Sequence, residues 1–326
     1  MCSDPAHPDV AIIGAGPSGL AAAGALRSHG CTVRVFDKGR GPGGRLSSRR
    51  RDETRFDHGA PVLDVPGDRV RPILDRWVEQ GVVQQWNPIE RGDGTRTAHW
   101  VGVPAMNAVV KVEAEASEVT FATRIIELER GDDTWSLLDA DHRVVCRAPR
   151  VIVAIPAPQA RTLLATTGFR HLEALDSVEF DPGWAFMFEG PDRGELGFDL
   201  LRNPCPAISH AEAQSSKPGR RTDRSWVAHA TPEWSRAHLE EDPESVAKRL
   251  AGELGPLLGM TIVPPWSAHR WRYARVRTAV GIEALVDESL GLSACGDWCL
   301  GPNVEDALLS GRSAGSTIAG VSQREG

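Results

Sequence analysis

The chain has 326 residues, 41% of them hydrophobic and 25% charged, a balance typical of a globular protein large enough for two domains. Its formal net charge of −7 gives no reason to expect binding to nucleic acid or to an anionic membrane surface. No apolar run approaches the roughly 20 residues of a membrane helix, and the N-terminus lacks a signal-peptide pattern, so we expect a cytoplasmic protein.

The first predicted element is a βαβ unit, in which the apolar run 10–13 is followed by a helix and a second strand. The turn between the first strand and the helix reads Gly14-Ala15-Gly16-Pro17-Ser18-Gly19. This G-x-G-x-x-G spacing is typical of dinucleotide-binding proteins, where a pyrophosphate approaches the glycine backbone at a helix N-terminus. Asp37 ends the second strand, where a carboxylate can accept hydrogen bonds from a ribose. The alternative is an ordinary β-turn-α unit.

A glycine-rich basic loop follows, beginning at Lys38 and containing Gly43-Gly44-Arg45. Glycines let the backbone approach a ligand, and a guanidinium group can bind a pyrophosphate through two parallel hydrogen bonds. We therefore assign these residues to the same dinucleotide site. A flexible, solvated loop remains the alternative for the arginines beyond it, which are Arg49, Arg50, Arg51 and Arg55.

The middle of the chain predicts further elements of both kinds. Apolar spacing predicts an amphipathic helix over 68–85, and a β-meander is predicted between 119 and 147. The apolar run 150–156 is typical of a buried parallel strand. From about 168 to 277 the pattern changes to that of a second, inserted domain, with a polar loose loop over 214–224 and an aromatic, basic strand over 266–273.

A second dinucleotide-contacting element is predicted near the C-terminus. An apolar strand ends in Gly296-Asp297, and a helix begins close to Val304. Asp297 could bind the sugar-like chain of a cofactor, and the positive end of the helix dipole could stabilise negative charge on it. A turn aspartate with no such role is the alternative. The six cysteines show no zinc-binding spacing, so we expect reduced thiols and no metal.

Taken together, the fingerprint, Asp37, the Gly43-Gly44-Arg45 turn and Gly296-Asp297 resemble the FAD-containing amine oxidase and phytoene desaturase superfamily. Within it, the chain resembles the bacterial renalase-like proteins. Segments that carry this narrower resemblance are 36–38, 41–48, 56–60, 101–106 and 269–273.

The resemblance implies an α/β protein with a Rossmann-like FAD-binding domain of the glutathione reductase-2 type and an inserted mixed-sheet α+β substrate domain. The expected FAD-binding parts are 1–62, 100–167 and 281–326, and the substrate parts are 63–99 and 168–280. Renalases bind FAD non-covalently and oxidise the 2- and 6-dihydro isomers of NAD(P), with hydride transfer to flavin N5 and reoxidation by dioxygen to hydrogen peroxide. The motif that tethers flavin covalently in monoamine oxidases is absent.

The resemblance also implies site residues. Gly59 and Ala60 would pass close to the flavin ring, and Ile125 is a further candidate cofactor contact. His58 is a candidate acid or base, although a locally hydrogen-bonded core histidine is the favoured alternative. Trp271 and Tyr273 would line the substrate pocket, and Arg270 or Arg272 could meet a phosphate. A strand simply packed on the substrate domain explains any one of these four residues equally well, because alternate positions face opposite ways.

One departure from the renalase pattern concerns the substrate. Pro61-Val62 stands where renalases have Gln-Tyr, which replaces a polar, aromatic wall by an apolar one. An active-site lysine, used by many amine oxidases, is not evident among the four lysines of the chain, Lys38, Lys111, Lys217 and Lys248. The alternatives to a renalase-like oxidase are therefore an FAD oxidase or dehydrogenase acting on an amine or another small molecule, and a flavoprotein that has lost catalysis.

Overall fold

The structure is a computed structural model that describes residues 7–51, 54–92, 94, 96–220 and 224–324. Its strands are β1 Val10–Ile13, β2 Val33–Phe36, β3 Arg49–Arg51, β4 Thr54–Phe56, β5 Val83–Trp86, β6 His99–Gly102, β7 Glu118–Thr120, β8 Ile125–Arg130, β9 Trp135–Asp139, β10 Val144–Ala148, β11 Arg150–Val153, β12 Glu179–Glu189, β13 Leu200–Cys205, β14 Ile208–Ala213, β15 Ser225–Ala230, β16 Ser267–Thr278, β17 Leu285–Asp287 and β18 Leu292–Ala294. Its α-helices are α1 Pro17–Ser28, α2 Arg71–Glu79, α3 Ala108–Glu115, α4 Ala157–Leu164, α5 Leu172–Asp176, α6 Arg193–Leu196, α7 Pro232–Ala237, α8 Pro243–Leu258 and α9 Val304–Arg324.

A six-stranded sheet, ordered β17-β18-β11-β1-β2-β7, carries the βαβ unit. β1 lies between β11 and β2 and runs parallel to both, while β17 is antiparallel to β18. Ile12 packs in the same apolar cluster as α1, and Ala11 packs in a second cluster with α4. Because helices cover both faces, the central strand β1 is apolar and buried throughout, and β11 is apolar and buried after Arg150, as expected for a parallel sheet. The predicted Rossmann-like domain is confirmed.

The second large sheet is antiparallel and has five strands, ordered β13-β14-β15-β12-β16. One face packs against α8 through Phe186, Ala228 and Leu250, which are all fully buried. Residues at the intervening positions of each strand lie on the opposite face, because side chains alternate along a strand. On that opposite face, Met187 and Val227 contact Phe56 of β4. This face therefore lies against the strand that follows the glycine-rich basic loop.

Three predicted elements differ from the structure. Of the β-meander expected between 119 and 147, β8, β9 and β10 form a three-stranded antiparallel sheet, whereas β7 pairs in parallel with β2 in the six-stranded sheet. The helix expected over 68–85 ends at Glu79, since Gly81 adopts a φ of +71° and the chain continues as β5. The expected loose loop over 214–224 contains a short 3-10 helix, Gln214–Ser216, and the buried side chains of Gln214 and Lys217. Residues 221–223 of that loop lie outside the described part of the chain. Of the helices that the structure describes, none is long and apolar enough to cross a lipid bilayer.

Candidate flavin and substrate site

The glycine turn after β1 leaves an open space at the N-terminus of α1. Gly14 has a φ of +112°, and a Cβ there would lie 2.4 Å from the Ala154 carbonyl oxygen. Gly16 precedes the helix without a side-chain cap, and a Cβ on Gly16 would meet no atom within 4 Å. The first N–H groups of a helix have no acceptor within the helix, so they remain available to a ligand. This turn fits the approach of a phosphate group.

α1 is held against α9 and the sheet by small residues of the fingerprint. A Cβ on Gly19 would lie 1.9 Å from the Gly14 carbonyl oxygen, and one on Gly311 would lie 2.0 Å from the Ser18 carbonyl oxygen. The Ser18 hydroxyl is buried and donates to the Cys295 sulfur at 3.2 Å. The Ser18 side chain and the close approach at Gly19 therefore fix the position of the helix.

Asp37 anchors the turn from the next strand. Its carboxylate accepts a hydrogen bond from the Ala15 N–H at 2.7 Å and another from the Gly39 N–H at 2.6 Å. Each carboxylate oxygen can accept a further bond, so a ribose hydroxyl remains a compatible partner. Lys38 is exposed and donates to the Gln159 side chain at 3.3 Å.

The Gly43-Gly44-Arg45 turn lies directly against the fingerprint. The Gly43 N–H donates to the Ala15 carbonyl at 3.4 Å, and a Cβ on Gly44 would lie 3.7 Å from the Gly16 Cα. Arg45 Nη2 lies 2.5 Å from Asp297 Oδ1, which joins this turn to the Gly296-Asp297 element. The three motifs, far apart in the sequence, therefore meet at one place.

The helix start near Val304 differs electrostatically from the expectation. Glu305 and Asp306 occupy its first turn, where Glu305 accepts from the Gly67 N–H at 2.7 Å and Asp306 accepts from the Asn303 N–H at 2.9 Å. Burial raises the pKa of Asp306 from its usual value. These carboxylates already complement the positive end of the α9 dipole, which weakens its effect on a bound anion.

The segment 57–61 runs beside Arg45. The Ala60 N–H donates to the Arg45 carbonyl at 2.8 Å, and a Cβ on Gly59 would lie 2.0 Å from that same oxygen. Trp271, on β16 of the five-stranded sheet, donates from its Nε1 to the His58 carbonyl at 2.8 Å. The structure thus brings His58, Gly59 and Ala60 together with Trp271, whereas Ile125 lies apart in β8, buried in the cluster that contains α4.

An aromatic group surrounds the His58 ring. The His58 and His269 rings meet edge-on with centroids 4.8 Å apart, and the Trp271 ring lies 5.4 Å from His58 and 4.5 Å from His269. Burial lowers the pKa of His58 to about 4, helped by His269 and Arg49. Burial and Arg49 likewise lower the pKa of His269 to about 4. Both imidazoles are therefore neutral at pH 7.

Two further histidines continue this group across the five-stranded sheet. His210, His229, Ala185 and His269 occupy one cross-strand row, and the His210 and His229 rings stack with centroids 4.5 Å apart. Burial lowers the pKa of His210 to about 3 and that of His229 well below its usual value. Both histidines are only half-buried, although their pKa values show strong desolvation. His229 lies two residues from Val227 on β15, so this row lies on the face of the sheet that contacts Phe56, opposite α8.

The other aromatic and basic candidates lie on β16, where successive side chains point to opposite faces of the sheet. Tyr273 lies further along β16 and contacts Phe180 edge-on at 5.5 Å. Arg272 is exposed and pairs with Glu240, and Arg270 donates to the Leu239 carbonyl at 2.7 Å. The structure does not bring Arg270 or Arg272 to the His58 group, because they occupy the alternate positions of the strand.

A buried charged network next to segment 57–61 was not anticipated from the sequence. Lys217 pairs with Glu212 at 2.5 Å, and Arg220 pairs with Asp57; all four side chains are at most 1% exposed. Burial would raise the pKa of Asp57, but Arg220 and Lys217 together hold it below its usual value. The sequence around these four residues does not indicate that they are buried, because they come together only in the folded chain.

Comparison with known proteins agrees with this geometry. A family model described as flavin containing amine oxidoreductase matches residues 82–319, and one described as NAD(P)-binding Rossmann-like domain matches residues 12–77. The first match covers well over half of the chain. The chain belongs to the flavin-containing amine oxidoreductase family. A flavin cofactor and oxidoreductase chemistry follow from that membership.

Curated relatives match over a short stretch. The 4,4'-diapophytoene desaturase of Staphylococcus haemolyticus is 42% identical over 57 residues, or 18% of this chain, and that of Staphylococcus aureus strain Newman is 40% identical over 57 residues. The match spans only 11% of each desaturase. It supports a related sequence motif and says nothing about a shared substrate.

Solved structures are similar over nearly the whole chain. A protein described as a protoporphyrinogen oxidase, from Exiguobacterium sp. 255-15, has a TM-score of 0.73 at 14% identity, covering 95% of this chain and 98% of that one. Cyclohexylamine oxidase from Brevibacterium oxydans has a TM-score of 0.73 at 12% identity, covering 97% and 100%. Putrescine oxidase bound to putrescine has a TM-score of 0.65 at 15% identity, covering 96% and 98%. At these identities the similarity establishes the fold alone.

Proposed function

We propose that this protein binds FAD non-covalently and is a renalase-like oxidase of the 2- and 6-dihydro isomers of NAD(P). The open turn at Gly16, the uncapped N-terminus of α1, Asp37 and Arg45 support a dinucleotide rather than a mononucleotide. The proposed FAD contacts are Gly14, Ala15, Gly16, Pro17, Ser18, Gly19, Asp37, Lys38, Gly43, Gly44, Arg45, Gly59, Ala60, Ile125, Gly296, Asp297 and Val304. We also propose the domain division 1–62, 100–167 and 281–326 against 63–99 and 168–280.

One observation carries the substrate proposal: neutral imidazoles, with cations acting on each of them, line the face beside segment 57–61. Arg49 acts on His58 and His269, and Lys217 acts on His210 and His229. Asp57 and Glu212 act in the opposite direction on His58 and His229, but they are themselves paired with Arg220 and Lys217, and the pKa of each histidine is lowered on balance. This environment favours an electron-rich neutral ring carrying anionic groups and disfavours an ammonium ion.

The reaction requires little acid–base catalysis by the protein. Bound FAD would take a hydride from the dihydronicotinamide and pass two electrons to dioxygen, so that the dihydronicotinamide, O₂ and one H⁺ give the oxidised nicotinamide and H₂O₂. The part of this chain is to orient the substrate and exclude water. Trp271 and His269 offer flat rings against which a nicotinamide could stack, and His58 holds Trp271 through its backbone carbonyl.

An amine oxidase or dehydrogenase is the second candidate. Pro61 and Val62 give the segment an apolar continuation, which suits a small apolar substrate. An aromatic cage for an ammonium group, however, would need paired aromatic faces. The single tyrosine of the chain, Tyr273, contacts Phe180 instead.

The test is an anaerobic flavin spectrum before and after addition of a borohydride-reduced NAD mixture, which contains the 2-, 4- and 6-dihydro isomers. We expect rapid loss of the oxidised flavin band, and its return in air with peroxide formed. A flavin that stays oxidised with this mixture but is bleached by an amine would establish the second candidate. A flavin bleached by neither would point to a flavoprotein without catalysis.

A further inference from the structure

Segment 57–61 is fixed at three backbone positions by side chains from the substrate half of the chain. The Asp57 N–H donates to Gln214 Oε1 at 3.0 Å, and the His58 carbonyl accepts from Trp271 Nε1 at 2.8 Å. The Pro61 carbonyl accepts from Lys217 Nζ at 2.9 Å. From its other side, the segment is held by the Arg45 carbonyl. Such a segment has little freedom to move relative to its surroundings.

Lys217 is an unusual residue for this task because its side chain is 0% exposed. Its ammonium group contacts Glu212 Oε1 at 2.5 Å, Pro61 O at 2.9 Å and the Trp86 ring, whose centroid is 5.2 Å away. Asp57 Oδ2 lies further off, at 3.8 Å. Trp86 is itself oriented by a 3.0 Å hydrogen bond from its Nε1 to Ser216 Oγ. Removing a lysine and a glutamate from water costs about as much free energy as their attraction returns. The pair is therefore poorly explained by stability alone.

The contact falls on the position where the sequence departs from the renalase pattern. Proline has a fixed φ and no N–H, so the only backbone polar group by which Pro61 can be held is its carbonyl. Lys217 supplies a charge-assisted donor to that carbonyl. Its own position is fixed by Glu212 and Trp86.

We propose that Lys217 is a positioning residue for the flavin-facing segment: by holding the Pro61 carbonyl it sets the place of the Gly59-Ala60 backbone against the flavin ring. This inference rests on the proposed location of FAD beside that backbone. Lys217 acts through Pro61 and does not itself touch substrate.

The test compares the double variant Lys217→Met/Glu212→Gln with the wild type. Both partners are changed so that no unpaired buried carboxylate remains. We expect a folded protein that binds FAD about tenfold more weakly or worse, the range for losing a hydrogen bond to a charged group, with a shifted oxidised flavin band. Lys217→Arg, which keeps a cationic donor, should recover part of the band position. Lys248→Met, the same change at an exposed lysine of α8, is the control and should match the wild type.

A second variant keeps the inference testable should the double variant not fold. Lys217→Gln leaves Glu212 in place and replaces the ammonium group by a shorter, neutral amide donor, so it weakens the bond to the Pro61 carbonyl and should shift the band in the same direction. If FAD affinity and band position are unchanged in every folded variant, the inference is wrong. If the wild type itself takes up no FAD, the proposed function fails, and the two results are thus distinguishable.

Discussion

Trp271 Nε1 donates a 2.8 Å hydrogen bond to the His58 carbonyl and so connects β16, the last strand of the five-stranded sheet, to the segment beside Arg45. Trp271→Phe keeps a ring of similar packing but leaves that carbonyl without its donor. We expect the free energy of unfolding to fall by about 1–3 kcal/mol, the cost of an unsatisfied buried polar group. Urea denaturation measures it. Trp266→Phe, which removes a 3.0 Å bond to Glu244 at an exposed site, is the control, and an equal loss there would contradict the expectation.

The glycines of α1 and its turn should divide into two classes on substitution. Gly16→Ala places a Cβ in open space, so it should fold like the wild type and lose FAD binding. Gly19→Ala places a Cβ 1.9 Å from a backbone oxygen, so it should not fold stably. Thermal unfolding and flavin content together separate these outcomes. Gly24→Ala, inside α1 and near only the Arg27 side chain, should keep FAD and gain about 0.5–1 kcal/mol. Retention of full FAD affinity by Gly16→Ala would contradict the proposed phosphate position.

Arg45 joins two motifs through Asp297, whose side chain is 6% exposed. Arg45→Gln removes the cation that would face a pyrophosphate and also leaves that carboxylate without its partner. We expect FAD affinity to fall at least tenfold, about 1.4 kcal/mol or more. Equilibrium titration with FAD measures the change. Arg34→Gln, which breaks an ion pair with Glu118 of the edge strand β7, is the control and should leave the FAD affinity unaltered.

The histidines with lowered pKa values predict a loss of stability in mild acid. Their pKa values lie near 4 for His58 and His269 and near 3 for His210, below the value of about 6.5 in an unfolded chain. Between about pH 6.5 and 4 the unfolded state therefore binds more protons, and folding stability falls as the pH falls. Each histidine contributes at most about 1.4 kcal/mol per pH unit.

Urea denaturation at a series of pH values checks this dependence. His269→Gln should have a shallower decline than the wild type over that interval, since one titrating group is gone. His142→Gln, at an exposed histidine, is the control and should keep the wild-type slope. Parallel slopes in all three proteins would show that other groups cause the decline.

The sequence alone determined the nucleotide-binding half of this protein. Turn glycines, the following helix and the acid at the end of the second strand are separated by few residues, so their geometry is local and their spacing can be interpreted directly. The meeting of Gly16, Gly44 and Asp297 could also be anticipated, because each follows a recognisable motif.

Only the tertiary structure decided which side chains lie together on the five-stranded sheet and in the stretch 214–224. His210 and His229 stack because β14 and β15 pair in a register that places the two residues side by side. Strand pairing joins residues that are distant in the sequence, so the residues around each histidine do not reveal its partner. Lys217 and Arg220 lie in a polar stretch that we interpreted as a loose loop. Their burial depends on the acids that the folded chain brings to them, since a buried charge is tolerated only with its partner in place.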